Sequence, residues 1–128
     1  MDFELTEQQK LIQNTVRDFA AERIRPHAEE WDEEEKFPRD LFDELGEMGI
    51  MGMNIPEKYG GAEMDKLSKV IVVEELWRAD PGIGSAIGSR DFGTDMILEF
   101  GDEWMKEEYL PQIANGETAS CSMISEPA

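Results

Sequence analysis

Residues 49–61 read Gly-Ile-Met-Gly-Met-Asn-Ile-Pro-Glu-Lys-Tyr-Gly-Gly, and this stretch decides how the chain folds. It contains too many glycine and proline residues for a regular helix or strand. It is also too apolar for a solvated linker, because a linker would leave its isoleucine and methionine side chains in water. The sequence therefore predicts an ordered loop that packs over a core.

Two helices are predicted upstream of this loop. The first begins with a capping box headed by Thr6, and its apolar residues recur mostly at three- and four-residue steps. Pro26 lacks an amide donor and should kink or restart this helix. The second helix opens at Phe37-Pro38, with proline in its first turn, and is ended by Gly46 and Gly49.

A third helix is predicted downstream, from about Asp65 to Arg78. Its apolar residues cover a broad face, which is typical of a well-buried helix, and Glu74 and Glu75 interrupt them. The β-branched run Val70 to Val73 would also suit a short buried strand, but the apolar pattern is longer than a strand. The apolar set is Leu67, Val70, Ile71, Val72, Val73, Leu76 and Trp77.

Asp80-Pro81 should cap and open a long helix that reaches about Phe100. Each glycine inside a helix costs about 1 kcal/mol relative to alanine, so the glycines of this segment need a reason. Either close helix packing or room for a ligand would explain them, and close packing is the more common cause. The glycines are Gly82, Gly84, Gly88 and Gly93.

A last helix is predicted that Asp102 can cap, with its end marked by Pro111 and then Asn115-Gly116. From Thr118 to Ser125 the pattern alternates as in a β-strand, with Cys121 on the face expected to be buried. A single strand is not stable alone, so we expect it to complete a sheet with further chain or with a partner.

The composition limits the possible functions. The chain has 128 residues, 40% of them hydrophobic, which is enough for one core. Twelve basic and thirty acidic residues give a net charge of −18, which disfavours nucleic acids and anionic membrane surfaces. This excess is expected either in a high-salt cytoplasm or on an ordinary acidic face. The acidic run Glu29 to Glu35 is predicted to be a solvated face.

Several further features favour a cytoplasmic location. Cys121 is the single cysteine, so an internal disulfide is excluded and a reducing compartment is expected. No apolar run has the length of a membrane span, and the start Met1-Asp2-Phe3-Glu4 is acidic where a signal peptide would be basic.

Residue types alone indicate little chemistry. The sequence has no phosphate-binding glycine loop with lysine and no Ser-His-Asp set. His27 is its only histidine and has no acid-base partner recognisable in sequence, so no metal site is predicted.

Three segments together resemble the amino-terminal part of the flavin-dependent acyl-CoA dehydrogenases. They are the loop 49–61, the stretch from Phe100-Gly101-Asp102 through Tyr109-Leu110-Pro111 to Gly116-Glu117, and the terminal Ser125-Glu126-Pro127-Ala128. The last is similar to the first half of the family's Thr-Glu-Pro signature, with Ser125 keeping the hydroxyl of the usual threonine. The order and spacing of these segments cover almost the whole chain.

The resemblance implies an all-α fold, the amino-terminal helical-bundle domain of this family. That domain would span residues 1–116, and residues 117–128 would be the first strand of the following β-domain and the start of its flavin-binding signature. The implied cofactor is FAD. By matching position, Ser122, Ile124 and Ser125 would contact the flavin ring, with Ser125 bonding its pyrimidine edge, although they could also be solvent-facing strand residues.

The same resemblance places the helix from Pro81 to Phe100 along the fatty-acyl pocket, with Gly84 and Gly88 facing the substrate. In the glutaryl-type branch, the arginine that holds the second carboxylate matches Gly84, so a dicarboxylyl substrate is disfavoured here. Arg90 would act instead only if it points inward, and an exposed Arg90 is expected.

The implied reaction is α,β-dehydrogenation of an acyl-CoA thioester to the trans-2-enoyl-CoA. The family's carboxylate base lies in its carboxy-terminal bundle, so no catalytic residue is assigned in this chain and the 128 residues alone should be inactive. The implied partners are an acyl-CoA substrate, an electron-transfer flavoprotein and, at full length, further copies of the protein. An acyl-CoA oxidase or flavin monooxygenase on the same scaffold, or a non-catalytic helical interaction module, remains the alternative.

Overall fold

The computed structural model describes residues 4–89, 92–121 and 125, and these residues form a helical domain. Among them no extended strand is formed, and Ser120 makes a single β-bridge. The predicted all-α fold is therefore confirmed. The helices are α1 Glu7–Phe19, α2 Ala28–Glu33, α3 Asp40–Glu47, α4 Lys66–Ala79, α5 Pro81–Ser89, α6 Thr94–Phe100 and α7 Glu103–Ala114.

The beginning and the end of α1 follow the sequence signals. The Gln9 amide donates to Thr6 Oγ1 at 3.2 Å and the Thr6 amide donates to Gln9 Oε1 at 3.0 Å, which completes the capping box. Beyond Phe19 the chain widens into a π-helical turn, Ala20–Ile24, which ends just before Pro26. Proline cannot donate to the helical ladder, so the helix stops here and α2 starts anew.

A first hydrophobic core lies between α1, α3, α4, α5 and the loop that follows α3. The loop contributes three fully packed side chains, so the predicted burial of this loop is confirmed. The core residues are Val16, Ala20, Ile24, Leu41, Phe42, Leu45, Ile50, Met51, Met53, Val72, Leu76 and Ile87.

A second, smaller core lies between the same loop, α6 and α7. The loop contributes Ile55 and Tyr59, and α7 contributes Leu110, Ile113 and Ala114. The loop is thus shared by both cores, with its earlier residues in the first and its later residues in the second.

Close backbone approach fixes this loop against α7. A Cβ added to Gly52 would lie 2.8 Å from the Ala114 Cβ, closer than real side chains come, so only glycine fits there. The loop then folds back on itself. The Ala62 amide donates to the Gly52 carbonyl at 2.9 Å, and the Met64 amide donates to the Met53 carbonyl at 2.7 Å. Its polar backbone is therefore satisfied although its side chains are buried.

The predicted third helix is confirmed as α4. The broad buried face predicted for it is not observed. Asp65 caps it, with Oδ1 accepting from the amides of Leu67 at 2.9 Å and Ser68 at 3.0 Å. Leu67, Val70 and Trp77 are 48%, 59% and 46% exposed. The prediction of one broad buried face was wrong, because the buried residues of α4 form a single stripe, Ser68, Ile71, Val72, Glu75 and Leu76.

Glu75 lies in the buried face of α4, where sequence analysis treated it as an interruption. Its carboxylate is paired with Arg17 of α1 in a fork, at 2.7 Å from Nη2 and 3.1 Å from Nε. The side chain of Glu75 is 1% exposed and that of Arg17 is 43% exposed. The hydrogen bond from Arg17 lowers the pKa of Glu75 and outweighs the effect of burial. The pair therefore joins α1 to α4 as a charged contact inside an apolar interface.

A second fork joins the π-helical turn to α3. Arg23 Nε donates to Glu44 Oε2 at 2.8 Å, and Arg23 Nη2 also donates to Glu44 Oε1. The hydrogen bond from Arg23 lowers the pKa of Glu44.

Three helix ends differ from the predictions. The long helix from Pro81 to Phe100 was wrong in length, since α5 ends at Ser89 and α6 starts at Thr94 after a turn at Gly93. Gly46 lies inside α3, and Gly49, with φ +73°, follows its end. Pro111 lies inside α7, where the helix continues to Ala114 before Gly116.

We expect Glu75→Gln to destabilise the domain by about 1.5 to 3 kcal/mol, the range for a hydrogen bond to a charged group. The substitution keeps the shape and removes the charge that faces Arg17. Glu74→Gln is the matched control, because Glu74 pairs with Arg78 at 3.2 Å on the exposed side of the same helix. Urea unfolding at constant salt measures both variants. Equal losses of stability would contradict the assigned role of the buried pair.

The contribution of this pair should also depend on pH. The pKa of Glu75 is lowered in the folded chain, so its stabilisation is fully present above the unfolded glutamate pKa of about 4.3 and is lost as the pH falls through the lower folded value. The difference in unfolding free energy between the parent chain and Glu75→Gln should therefore shrink on acidification from pH 7 to pH 3. A difference that stays constant over this range would refute the assignment.

Candidate functional site

The segment after α7 is held against the start of α6. The Thr94 side chain is completely buried there, and its hydroxyl lies 2.8 Å from the Ser120 hydroxyl. A Cβ on Gly93 would lie 3.0 Å from the Cys121 carbonyl oxygen, so the segment passes close to the turn before α6. The Thr118 amide donates to the Gln112 carbonyl of α7 at 3.1 Å. These contacts fix the direction in which the chain leaves the helical domain.

Over residues 118–121, the part of the predicted strand next to α7 that the structure describes, the alternation has the opposite sense. Cys121 is exposed, which corrects the prediction that it would be buried, and Ser120 is the half-buried residue. The reason is polar, because the buried Thr94 hydroxyl takes Ser120 as its hydrogen-bond partner. Thr94 was not predicted as a site residue, because one threonine at a helix start carries no periodic signal.

The loop also contacts the start of α6. Asn54 Nδ2 donates to Asp95 Oδ1 at 2.9 Å. The Asn54 Oδ1 atom is buried and has no hydrogen-bond partner among the described residues. The start of α6 therefore has a small polar cluster within largely apolar packing, formed by Asn54, Thr94 and Ser120.

Of the three predicted flavin contacts, only Ser125 belongs to the described residues. Ser125 is exposed and lies outside regular secondary structure, so its hydroxyl is accessible. Ser122 and Ile124 lie outside the described residues. The flavin roles of all three stay predictions.

The two predicted substrate contacts, Gly84 and Gly88, have different surroundings. A Cβ on Gly84 would lie 2.9 Å from the backbone of Trp77 in α4, so this glycine allows close helix packing. Nothing lies within 4 Å of a Cβ built on Gly88. Residues four apart share a helix face, so the face that touches α4 at Gly84 opens at Gly88. The substrate roles of both stay predictions, and Arg90 lies outside the described residues.

A cleft of about 610 Å³ lies between α2 and α5. Trp31, Phe37, Ile83 and Ala86 form its apolar wall, and neither Gly84 nor Gly88 lines it. Its acidic residues are Glu29, Asp32, Glu35 and Asp80.

A charged contact anchors the loop to the first turn of α7. The Tyr59 hydroxyl donates to Glu103 Oε1 at 2.7 Å, and Lys58 Nζ lies 3.2 Å from the same oxygen. The hydrogen bond from Tyr59, followed by that from Lys58, lowers the pKa of Glu103. This carboxylate is therefore held in its charged form as a structural contact.

Within residues 4–89, 92–121 and 125, no three His, Cys, Asp or Glu side chains come together as metal ligands would. Over the same residues, every helix is too short or too polar to cross a lipid bilayer.

Comparison with known proteins gives one consistent family. Residues 6–117 match the model of the acyl-CoA dehydrogenase N-terminal domain. A relative from Bacillus subtilis, the probable acyl-CoA dehydrogenase YngJ, is 37% identical over an alignment of 128 positions, which covers 99% of this chain and 34% of the relative.

Solved structures agree with that match. The structure of the glutaryl-coenzyme A dehydrogenase glutaryl-CoA complex superposes with a TM-score of 0.85 at 36% identity, over 91% of this chain and 31% of that one. An acyl-CoA dehydrogenase complexed with FAD from Bacillus anthracis gives 0.84 at 34% identity, over 91% and 20%.

The chain spans about a third of the length of the curated relative, 34%, and the matched part lies in the amino-terminal domain. Sequence and fold agree over nearly all of the described helices. The chain therefore belongs to the acyl-CoA dehydrogenase family, of which it carries the amino-terminal helical domain.

Proposed function

We propose that the whole protein is an FAD-dependent enzyme that removes hydrogen from the α and β carbons of an acyl-CoA thioester to form the trans-2-enoyl-CoA. The observation that carries this proposal is the match of residues 6–117 to the family's amino-terminal domain, in sequence and in fold. In this division of the chain, residues 1–116 form the helical domain and residues 117–128 begin the β-domain.

The residues at the end of the chain suit a flavin contact. Ser125 is exposed, and the segment before it is tied to the buried Thr94 through Ser120. We assign Ser125 to the pyrimidine edge of the flavin, with Ser122 and Ile124 beside the ring. The flavin, when bound, accepts the β-hydrogen as hydride. The part of these residues is to hold and orient the ring, because a small error in its position slows hydride transfer.

The surroundings of α5 suit an acyl chain. The open space at Gly88 leaves volume where a side chain would otherwise project, and Gly84 keeps α5 tight against α4 beside it. We assign this face of α5 to the acyl pocket. No arginine stands at position 84 to bind a second carboxylate, so the proposed substrate is a monocarboxylic acyl thioester.

The base that removes the α-proton is assigned outside this chain. A useful base needs a pKa closer to neutral and a place beside the substrate. Glu44, Glu75 and Glu103 have the opposite property, since arginine, lysine or tyrosine contacts lower the pKa of each. They join elements of the fold and are not assigned as the base, which the family resemblance places in the carboxy-terminal bundle.

The proposed electron acceptor of the reduced flavin is an electron-transfer flavoprotein, and the whole protein is proposed to form homo-oligomers. An acyl-CoA oxidase on the same scaffold would pass its electrons to oxygen. Oxygen uptake during turnover of the complete protein, measured against reduction of an artificial electron acceptor, separates these two activities.

The complete protein should bind FAD and lose its flavin absorbance when acyl-CoA is added without oxygen. The 128 residues alone should bind flavin weakly and lack activity, because the base and most of the flavin site lie elsewhere. In the complete protein, Ser125→Ala should weaken FAD affinity about two- to tenfold, the worth of one hydrogen bond. The exposed Thr118→Ala is the matched control. Substrate-dependent bleaching by the 128-residue chain would contradict the proposal.

Substitutions of Gly84 and Gly88 in α5 should distinguish a role in helix packing from a role in substrate binding. Gly84→Ala should destabilise the domain, because its Cβ would lie 2.9 Å from the α4 backbone, whereas Gly88→Ala should keep or raise stability by up to about 1 kcal/mol. In the complete protein, Gly88→Leu should lower kcat/KM more for long acyl chains than for short ones at unchanged Tm. An unchanged chain-length profile would remove Gly88 from the pocket and leave the reaction class intact.

A further inference from the structure

The α2 helix and the residues after it hold an unusual density of negative charge. Six of the seven residues from Glu29 to Glu35 are acidic, and Trp31 is the exception. All six acidic residues are exposed, while Trp31 is half-buried. The segment therefore has one apolar side chain with which to hold a strongly charged helix in place.

Few other contacts support α2. It has no buried residue, no side-chain cap at His27 and no basic residue in its last turn. Two residues beyond its end, Glu35 lies in the left-handed region, with φ +52°, where a glutamate is strained. Trp31 stacks on His27, with ring centroids 5.4 Å apart. The helix consequently lacks the caps and compensating end charges that stabilise short helices.

Positive charge near α2 is scarce. Among the described residues, Glu30 alone of the six has a basic group at ion-pair distance, His27 at 3.7 Å, which is charged only when protonated. Arg23 faces the same side but is engaged by Glu44. Among the described residues that line the cleft, Lys36 is the one cation. The charged groups nearest to each carboxylate of α2 are therefore mainly the other carboxylates of the same segment, which repel it.

The spacing of these carboxylates makes their repulsion sensitive to salt. Glu29 and Glu33, like Glu30 and Glu34, are four residues apart, which places their Cβ atoms about 5–6 Å from each other on a helix. The screening length is about 10 Å at 0.1 M salt and about 3 Å at 1 M. Repulsion between these pairs thus acts at low salt and is largely screened at high salt.

We propose that α2 is an electrolyte-dependent element, which unfolds at low ionic strength and folds at high ionic strength. Because Trp31 and the acidic residues of α2 form one wall of the cleft facing α5, this cleft is complete only when salt is present. The net charge of −18 also favours unfolding of α2 at low salt, because the acidic remainder of the chain repels the carboxylates of α2. The inference is independent of the enzymatic activity proposed above.

Amide hydrogen exchange tests this proposal on the 128-residue chain. The amides of Trp31, Glu34 and Lys36 donate to carbonyls of the same segment at 2.9, 2.9 and 2.8 Å, so they report the folding of α2. We expect their protection to rise at least tenfold between 0.1 M and 2 M KCl at pH 7. The Lys106 amide, which donates to the Asp102 carbonyl in α7, should change far less. Sucrose, which does not screen charge, should not replace the salt.

Two variants with the same change in net charge separate local from global repulsion. Glu29→Gln/Glu33→Gln/Glu34→Gln should protect the α2 amides already at 0.1 M KCl. The control Glu99→Gln/Glu107→Gln/Glu108→Gln removes three exposed carboxylates from α6 and α7 and should leave the salt dependence of α2 in place. The proposal is overturned if α2 is equally protected at both salt concentrations, if α2 and α7 lose protection in parallel, or if both variants act alike.

Discussion

The arrangement of this domain depends on the close approach of Gly52 to Ala114. At this point the loop after α3 touches α7 with no room for a side chain on the glycine. The contact turns the loop so that Met51 and Met53 enter one core while Ile55 and Tyr59 enter the other. A single irregular segment therefore fixes the position of α6 and α7 relative to α1, α3 and α4, and regular secondary structure alone would not set that position.

The parts of this fold that sequence predicts are those determined by local chemistry. The capping box at Thr6, the cap of α5 at Asp80 and the burial of the 49–61 loop follow from neighbouring residues, and all three are present. The errors arise where a distant partner decides. Leu67 and Glu75 exchange their expected environments because the position of α1 selects the buried face of α4, and an arginine on α1 makes a carboxylate acceptable there.

The candidate site shows the same division. The sequence shows that the glycines of α5 are unusual for a helix. Whether a given glycine allows close helix packing or leaves open space depends on how α5 crosses α4. Gly84 lies at the crossing, and Gly88 lies where the two helices no longer touch. The terminal segment could not be oriented from its alternation, because the hydroxyl of Thr94, far away in sequence, selects Ser120 as the inward-facing residue. Alternation and glycine content do not specify which residues contact a flavin ring or an acyl chain, because those contacts depend on the ligand's position.

Charge is used in two opposite ways in this domain, and the difference is one of pairing. Glu75 and Glu44 are each met by an arginine fork, so their charge strengthens contacts between helices. Among the described residues no arginine lies at ion-pair distance from the carboxylates of α2, so the same chemical group opposes folding there. Since a pair with a buried carboxylate, such as Arg17–Glu75, is screened less by salt than exposed neighbouring carboxylates, ionic strength acts mainly on α2 and less on the contact between α1 and α4. The acidity of the sequence therefore does not lower stability evenly, and its effect is concentrated where no arginine is available.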